Sequence, residues 1–287
     1  MQQTSTWQKI LYFPLTKIII GLIVCVGIAL TGQLLIQQLL VTVNFNKDYK
    51  DLIAGVAAAI LAIVSYYFLF SFYEKRTVTE LSSKGFIKNL LFGVLLGALL
   101  QSLTILIIYL KGGYTVTSIN PVVFILPALT MAFTAAVFEE IIIRGIIFRI
   151  MEEKLGSYYA LAISAVLFGA IHLANPNSSI IAGIAIAIEA GVLLAAAYIY
   201  SRSLWFPIAI HFAWNFTQAA IFGANVSGNS VSKTLVTSKI EGAAWFTGGA
   251  FGPEASVQAT LFCLIAAIVL LMLSKREGKI IQPYWKR

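Results

Sequence analysis

Long apolar segments separated by short polar ones make up most of this chain. A membrane helix needs roughly 20 apolar residues to cross a hydrocarbon core of about 30 Å. Eight segments have about this length, which predicts an all-α fold: a polytopic membrane helical bundle of about eight transmembrane helices, in one integral membrane domain over residues 1–287. The predicted spans are residues 18–43, 52–73, 89–110, 121–150, 157–174, 179–200, 204–223 and 256–274.

The composition excludes a soluble protein. Hydrophobic residues make up 59% of the chain and charged residues 11%, whereas a soluble domain carries about 25% charged residues. The net charge of +8 does not indicate nucleic acid as a partner, because no basic patch is interleaved with exposed aromatic residues. The start of the chain lacks the short apolar core and cleavage site of a signal peptide, so the first span is expected to remain in the membrane.

The distribution of basic residues predicts the orientation. Fourteen Lys and Arg residues lie at the termini or in loops after even-numbered spans, and five lie in the other loops. Basic residues are enriched in cytoplasmic loops. We therefore expect a multi-pass protein of the cell membrane with both termini in the cytoplasm.

Three ionisable groups lie inside the fourth span, in the sequence FEEIIIRG at 138–145. Each costs about 3 kcal/mol at membrane depth, so each needs a reason. Glu140 and Arg144 are four residues apart, the spacing of a helix ion pair. A purely structural pair between helices would explain these two residues. It leaves Glu139 unexplained, because that side chain is rotated about 100° away on the helix.

The chain contains only two histidines, His172 and His211, and both lie in apolar segments. Taken singly, a histidine in an apolar helix is more often a hydrogen-bonded packing residue than a catalyst. Together they are the chain's full set of imidazoles, the groups that titrate near neutral pH. His211 and Asn215 are four residues apart and share a helix face.

A carboxylate and two imidazoles in a low-dielectric site suit two kinds of chemistry. They can remove a proton from water and stabilise a developing oxyanion, for which an Asn amide is a suitable donor. They can also bind zinc with one position open for water. No Ser or Cys has a matching spacing beside either histidine, which argues against a covalent nucleophile, and the zinc-protease motif HExxH is absent.

Three motifs in this order resemble a known family. EEIIIR (139–144), FGAIH (168–172) and HFAWN (211–215) are similar to the motifs of the CPBP intramembrane proteases, also called the ABI family. That family includes the CAAX prenyl endopeptidases and the bacteriocin-processing or immunity proteins. The resemblance covers roughly residues 75–270, and the motif-bearing catalytic core is expected at 121–223.

The resemblance implies six site residues with three roles. Glu139 and His172 would activate the attacking water, His211 and Asn215 would form the oxyanion site, and Glu140 and Arg144 would orient the pocket. Family members are often described as metalloendopeptidases, but a metal-free mechanism is the better-supported one for prenyl endopeptidases. We therefore expect no cofactor; a zinc ion, if one is used, would be bound by Glu139, His172 and His211.

The expected function is that of an intramembrane endopeptidase, a hydrolase that cleaves a peptide bond of a membrane-embedded or membrane-associated substrate. The alternative is a non-catalytic bacteriocin-immunity or membrane scaffold protein of the same family. A proton-coupled transporter would also place carboxylates and histidines at mid-membrane, but the chain shows no inverted repeat and no paired broken helices.

Two further acidic residues stay outside the predicted site. Glu189, in the sixth span, either lines the cavity or is neutral and hydrogen-bonded, and the second reading is favoured. Glu254, in the sequence FGPEAS, either caps the last helix or contacts the substrate.

Overall fold

The computed structural model describes residues 6–287, so the first five residues of the predicted domain lie outside it. Over the described residues, apolar helices long enough to cross a membrane pack into a bundle, which confirms the all-α polytopic class. Many large apolar side chains point outwards from these helices, as expected for surfaces that face lipid. The extents of the single domain and of its core at 121–223 stay predictions.

The helices and strands follow one another in this order. They are α1 Thr6–Leu11, α2 Pro14–Leu39, α3 Lys47–Tyr73, α4 Phe86–Leu110, β1 Tyr114–Ile119, α5 Leu126–Glu140, α6 Arg149–Leu155, α7 Ser157–His172, α8 Ile180–Ile186, α9 Leu193–Ser201, α10 Trp205–Phe216, β2 Val236–Ile240, α11 Ala244–Thr247 and α12 Val257–Arg276. Three π-helical segments extend these helices: Ile141–Phe148 joins α5 to α6, Ala187–Val192 joins α8 to α9, and Thr217–Ile221 follows α10.

The predicted count of eight spans is not confirmed. Within residues 6–287, six helices are long and apolar enough to cross a membrane. They are Pro14–Thr42, Lys47–Tyr73, Phe86–Leu110, Val122–Leu155, Ile180–Ser201 and Val257–Arg276. The other two predicted spans are also helical, but α7 has 16 residues and α10 has 12. At 1.5 Å per residue, α7 is about 24 Å long, which is less than the hydrocarbon thickness.

Helix α10 lies at the centre of the bundle, with nine of its twelve residues buried. It packs against α4, α5 and α9. On α4, Gly93 and Gly97 bring the backbones into contact: a Cβ atom at Gly97 would lie 2.3 Å from the carbonyl oxygen of Ile210. The GxxxG sequence at 93–97 is therefore a close helix–helix contact, as such motifs commonly are in membranes.

A network of charged side chains occupies one end of the bundle. Glu74, directly after α3, forms ion pairs with Lys17 at 2.5 Å and with Arg149 at 2.9 Å. Burial alone would raise the pKa of Glu74, but the positive charges of Arg149 and Lys17 lower the pKa overall. This network ties α2, α3 and α6 together.

The C-terminal segment lies at this same end. The backbone N–H of Ser157 donates to the carbonyl of Ile281 over 2.9 Å, and Arg202 pairs with Glu152 at 2.6 Å. The beginning of α2 and the segment after α12 therefore share one end of the bundle. Two cytoplasmic termini require such an arrangement, and the cytoplasmic location itself stays a prediction.

A two-stranded antiparallel sheet covers the opposite end. Strand β1 pairs with β2 from Tyr114 opposite Ile240 to Ile119 opposite Val236, with an irregularity in register between Val116 and Ser118. Both strands lie outside the eight predicted spans, in segments that were expected to be connections between helices. The pairing joins residues more than 100 positions apart, so no local hairpin pattern marks it.

Candidate active site

The two carboxylates of the first motif leave their helix in different directions. Glu139 and Glu140 are the last residues of α5, and the chain continues as the π-helix Ile141–Phe148. The side chain of Glu140 is fully buried, whereas that of Glu139 is 32% exposed. Single π-helical turns occur frequently at functional sites, because they alter the hydrogen-bond register and the direction of neighbouring side chains.

Arg144 joins the π-helical segments of two different spans. Its Nη1 donates to Oε1 of Glu140 over 2.8 Å, and both side chains are fully buried. Its Nη2 donates to the backbone carbonyls of Ala190 and of Gly191, the latter over 3.1 Å. A change between π and α register leaves carbonyls without a helical partner, and the guanidinium satisfies them here. The predicted i, i+4 ion pair is present.

The imidazole of His211 lies between the two carboxylates. Its Nδ1 lies 3.1 Å from Oε1 of Glu140, and its Nε2 lies 4.0 Å from Oε2 of Glu139. A carboxylate only accepts, so Nδ1 carries the hydrogen and Nε2 is directed towards Glu139. In the described part of the chain, the buried Oε2 of Glu139 has no hydrogen-bond partner. A 4.0 Å separation exceeds a direct hydrogen bond and suits a water that contacts both atoms.

His172 is oriented by the residue one turn earlier in α7. Its Nδ1 lies 2.8 Å from the carbonyl oxygen of Phe168, which can only accept, so Nδ1 is the protonated nitrogen and Nε2 keeps its lone pair. The two rings pack with centroids 4.6 Å apart, and the guanidinium of Arg144 lies 4.9 Å from the Phe168 centroid. Phe168 also contacts His211 edge-on, with centroids 6.3 Å apart. One aromatic ring therefore touches both imidazoles.

Close helix packing places α7 beside the π-helix that supplies the carbonyl partners of Arg144. A Cβ atom at Gly169 would lie 2.4 Å from the carbonyl oxygen of Gly183. A Cβ atom at Gly191 would lie 2.7 Å from the Cα atom of Ala165. Only glycine allows this approach, and it brings the end of α7, with His172, to the cavity described next.

A small cavity of about 40 Å³ lies at this junction. Its lining includes His172, His211 and Asn215, and its apolar walls include Leu193 and Trp214. All three polar residues are less than 10% exposed. The pocket is thus enclosed, largely apolar, and supplied with a few polar groups, as binding sites for organic ligands usually are.

The structure brings the predicted site residues together. Glu139, Glu140, Arg144 and His211 form one contiguous group, while His172 and Asn215 line the cavity beside it; these are the six predicted residues. The resemblance assigned Glu139 and His172 to the activation of one water, which does not require contact between the two side chains. Nε2 of His211 lies 4.0 Å from Oε2 of Glu139. The individual roles stay predictions.

The residues present do not fit a zinc ion. Over residues 6–287, no three His, Cys, Asp or Glu side chains are grouped closely enough to bind a metal. The alternative ligand set of Glu139, His172 and His211 is therefore not assembled.

Two acidic residues outside the predicted site also line the cavity: Glu189 and Glu254. Glu189 accepts a hydrogen bond from the Thr260 hydroxyl over 3.1 Å, so it is both hydrogen-bonded and part of the lining. Glu254 does not cap the last helix; the hydroxyl of Ser256 does, by accepting from the N–H of Ala259. The sequence signal for Glu189 was a carboxyl group in the middle of a predicted span. The signal for Glu254 was its position directly after a Gly-Pro turn.

Burial raises the pKa of Glu254 to about 8, although a hydrogen bond from the Ser227 backbone N–H opposes the shift. The carboxyl oxygens of Glu254 accept from that N–H and from the side-chain amide of Gln218. These hydrogen bonds hold the loop before α12 against the π-helical segment that follows α10.

The sequence model of one protein family matches the chain. It is described as "Type II CAAX prenyl endopeptidase Rce1-like" and matches residues 121–217, a range that contains all three motifs. Neither the curated proteins nor the solved structures gave a significant match. With its apolar helices, the chain is a multi-pass membrane protein, and its residues 121–217 are similar to a family of membrane proteases. The CPBP resemblance of the three motifs is confirmed, because the motif-bearing core of this chain matches the CAAX prenyl endopeptidase family.

Proposed function

We propose that this protein is an intramembrane endopeptidase that hydrolyses a peptide bond in or near the bilayer without a covalent intermediate. One observation carries the proposal: the unpartnered Oε2 of Glu139 lies 4.0 Å from Nε2 of His211, beside an enclosed cavity that His172 also lines. A carboxylate with one buried and unpartnered oxygen is costly in a membrane, and activating water gives it a chemical use.

The reaction begins at Glu139. Its carboxylate takes a proton from a water molecule while the oxygen of that water attacks the carbonyl carbon of the substrate. His172 offers the lone pair of Nε2 to the same water, because its Nδ1 hydrogen is directed to Phe168. The attack forms a tetrahedral intermediate with a negative oxygen.

His211 and Asn215 stabilise that oxyanion. The Asn215 amide donates through Nδ2, and His211 donates through Nε2 when its ring carries a second proton. Glu139 and Glu140 on either side compensate the charge of that imidazolium. The intermediate collapses when the C–N bond breaks and the proton from water passes to the leaving nitrogen, which yields a carboxylate and an amine.

Glu140 and Arg144 are positioning residues. Glu140 fixes the tautomer and the direction of the His211 ring, and Arg144 holds Glu140 in place through its links to Ala190 and Gly191. No step of this mechanism requires a metal. We place the protein in the cell membrane with its charged end in the cytoplasm, following the distribution of Lys and Arg.

A comparison of membrane peptides tests the proposal. Cells would carry the wild type, Glu139→Gln, or Glu241→Gln as a matched control, since Glu241 is exposed and outside the cavity. We expect fragments that are present with the wild type and with Glu241→Gln but absent with Glu139→Gln. A peptide profile that is the same for all three would favour the non-catalytic immunity or scaffold function.

A further inference from the structure

The reaction proposed above uses neither of the two buried carboxyl groups on the other wall of the cavity. Glu189 and Glu254 come from different parts of the chain: the π-helix Ala187–Val192 and the loop before α12. Both line the cavity that His172 and His211 also line. We call this pair the acidic wall.

Glu189 presents an unsatisfied oxygen. Its side chain is 4% exposed, and its Oε1 accepts a hydrogen bond from Thr260 over 3.1 Å. Its Oε2 is buried and has no hydrogen-bond partner in the described chain. A buried acceptor in this state is unfavourable, and a ligand in the cavity that donates to it would satisfy it.

Glu254 is held rigidly in the same wall. It is 2% exposed, and its two oxygens accept from the Ser227 backbone and from the Gln218 side chain. Ser227 itself lines the cavity, so the loop 223–256 forms part of the site. Glu254 and Glu189 both line the cavity.

In the described chain, the lining of the cavity contains two carboxyl groups and no basic side chain of lysine or arginine to pair with them. Arg144, which does not line the cavity, is already engaged with Glu140 and with two backbone carbonyls. Burial raises the pKa of Glu254 to about 8, so this group is largely protonated near neutral pH while the cavity is empty. A ligand that brings a positive charge would favour the ionised form of the carboxyl groups, beside which the described chain places no lysine or arginine.

We propose that the acidic wall binds a cationic side chain of the substrate, lysine or arginine, and thereby selects peptides that carry a basic residue close to the scissile bond. The selection of cleaved peptides rests on the proposed protease function, whereas preferential binding of a cation does not. A neutral side chain of the same length would leave Oε2 of Glu189 unsatisfied, so it would bind less tightly.

Two short apolar peptides that differ at one position provide the test. The probes are acetyl-Leu-Ala-Lys-Ala-Leu-amide and the same peptide with norleucine, a neutral residue of similar length, in place of lysine, each with a fluorescent label. Binding is measured by fluorescence anisotropy on protein in nanodiscs of zwitterionic lipid, so that the bilayer does not attract the lysine. The protein carries Glu139→Gln to prevent cleavage during the measurement.

We expect the lysine peptide to bind at least tenfold more tightly than the norleucine peptide. Adding Glu189→Gln, which can still accept from Thr260, should bring the ratio close to one, and Glu254→Gln should reduce it. Adding Glu241→Gln, which removes a carboxylate from the same end of the molecule outside the cavity, should leave it unchanged. Equal binding of the two peptides, or a ratio that Glu189→Gln does not lower, would overturn the proposal.

The wild type, assayed for cleavage of the same two peptides, separates this proposal from the proposed function. Preferential binding of lysine without cleavage of either peptide would support the acidic wall and count against protease activity on these peptides. Cleavage of both peptides with equal kcat/KM and equal binding would support the protease and contradict the acidic wall.

Discussion

The contact between α4 and α10 makes Gly97 a sensitive position for the whole site. In Gly97→Ala, the new Cβ atom would lie 2.3 Å from the carbonyl oxygen of Ile210 and 3.1 Å from Cβ of Ala213. The first distance is roughly 1 Å shorter than a normal contact, and the obstacle is backbone, which cannot rotate away. The helices must therefore separate by roughly 1 Å.

The expected cost follows from three contributions: overpacking, helix propensity and the loss of one hydrogen bond. Overpacking of this kind destabilises by about 1–3 kcal/mol, and the better helix propensity of alanine returns up to about 1 kcal/mol. His211 directly follows Ile210, so a shift of roughly 1 Å would also stretch its 3.1 Å hydrogen bond to Glu140 beyond a useful length. Losing that buried bond adds about 1–3 kcal/mol. A net destabilisation of about 2–4 kcal/mol is the result.

Thermal unfolding in detergent would measure the loss of stability, and the cleavage rate of a peptide substrate would measure the loss of activity. Gly27→Ala is the matched control, since a Cβ atom at Gly27 would meet nothing within 4 Å. We expect Gly97→Ala to unfold several degrees below Gly27→Ala and to lose about 100-fold in kcat/KM, because small misplacements of catalytic groups are costly. An unfolding temperature equal to that of Gly27→Ala would refute the packing argument.

Three further predictions concern the buried charges and metals. Glu140→Ala leaves Arg144 buried without its partner and should destabilise by about 3–5 kcal/mol, whereas the double variant Glu140→Leu/Arg144→Met should recover stability in chemical unfolding but no activity. Because the pKa of Glu254 is raised from 4.5 to about 8 in the folded protein, folding stability should fall as pH rises through that interval; Glu254→Gln should flatten this dependence in unfolding measured at several pH values. Activity should survive a zinc chelator, and lasting inactivation that only zinc reverses would contradict the metal-free mechanism.

The helical spacing within each motif made the local pairs predictable. Glu140 with Arg144, Phe168 with His172, and His211 with Asn215 are each four residues apart, so one turn of helix brings each pair to one face. The ion pair and the Phe168–His172 contact are present in the structure. The GxxxG contact followed from the small size of glycine in the same way.

Contacts between different helices were harder to predict from a single sequence. The approach of His211 to Glu139 depends on the packing of α10 against α4 and α5. Glu254 reaches the cavity through the loop 223–256, whose shape depends on the pairing of β2 with the distant strand β1. The three π-helical segments have no distinct sequence period. Two of them, Ile141–Phe148 and Ala187–Val192, contain Arg144 and its carbonyl partners.

The most direct test of the account is the kcat/KM of the purified protein in nanodiscs for a peptide identified in the membrane comparison. Glu139→Gln keeps the shape of the side chain but removes the base, so we expect kcat/KM to fall at least 100-fold while the unfolding temperature stays within a degree or two of the wild type. A variant that retains kcat/KM within threefold of the wild type would show that Glu139 does not activate the attacking water.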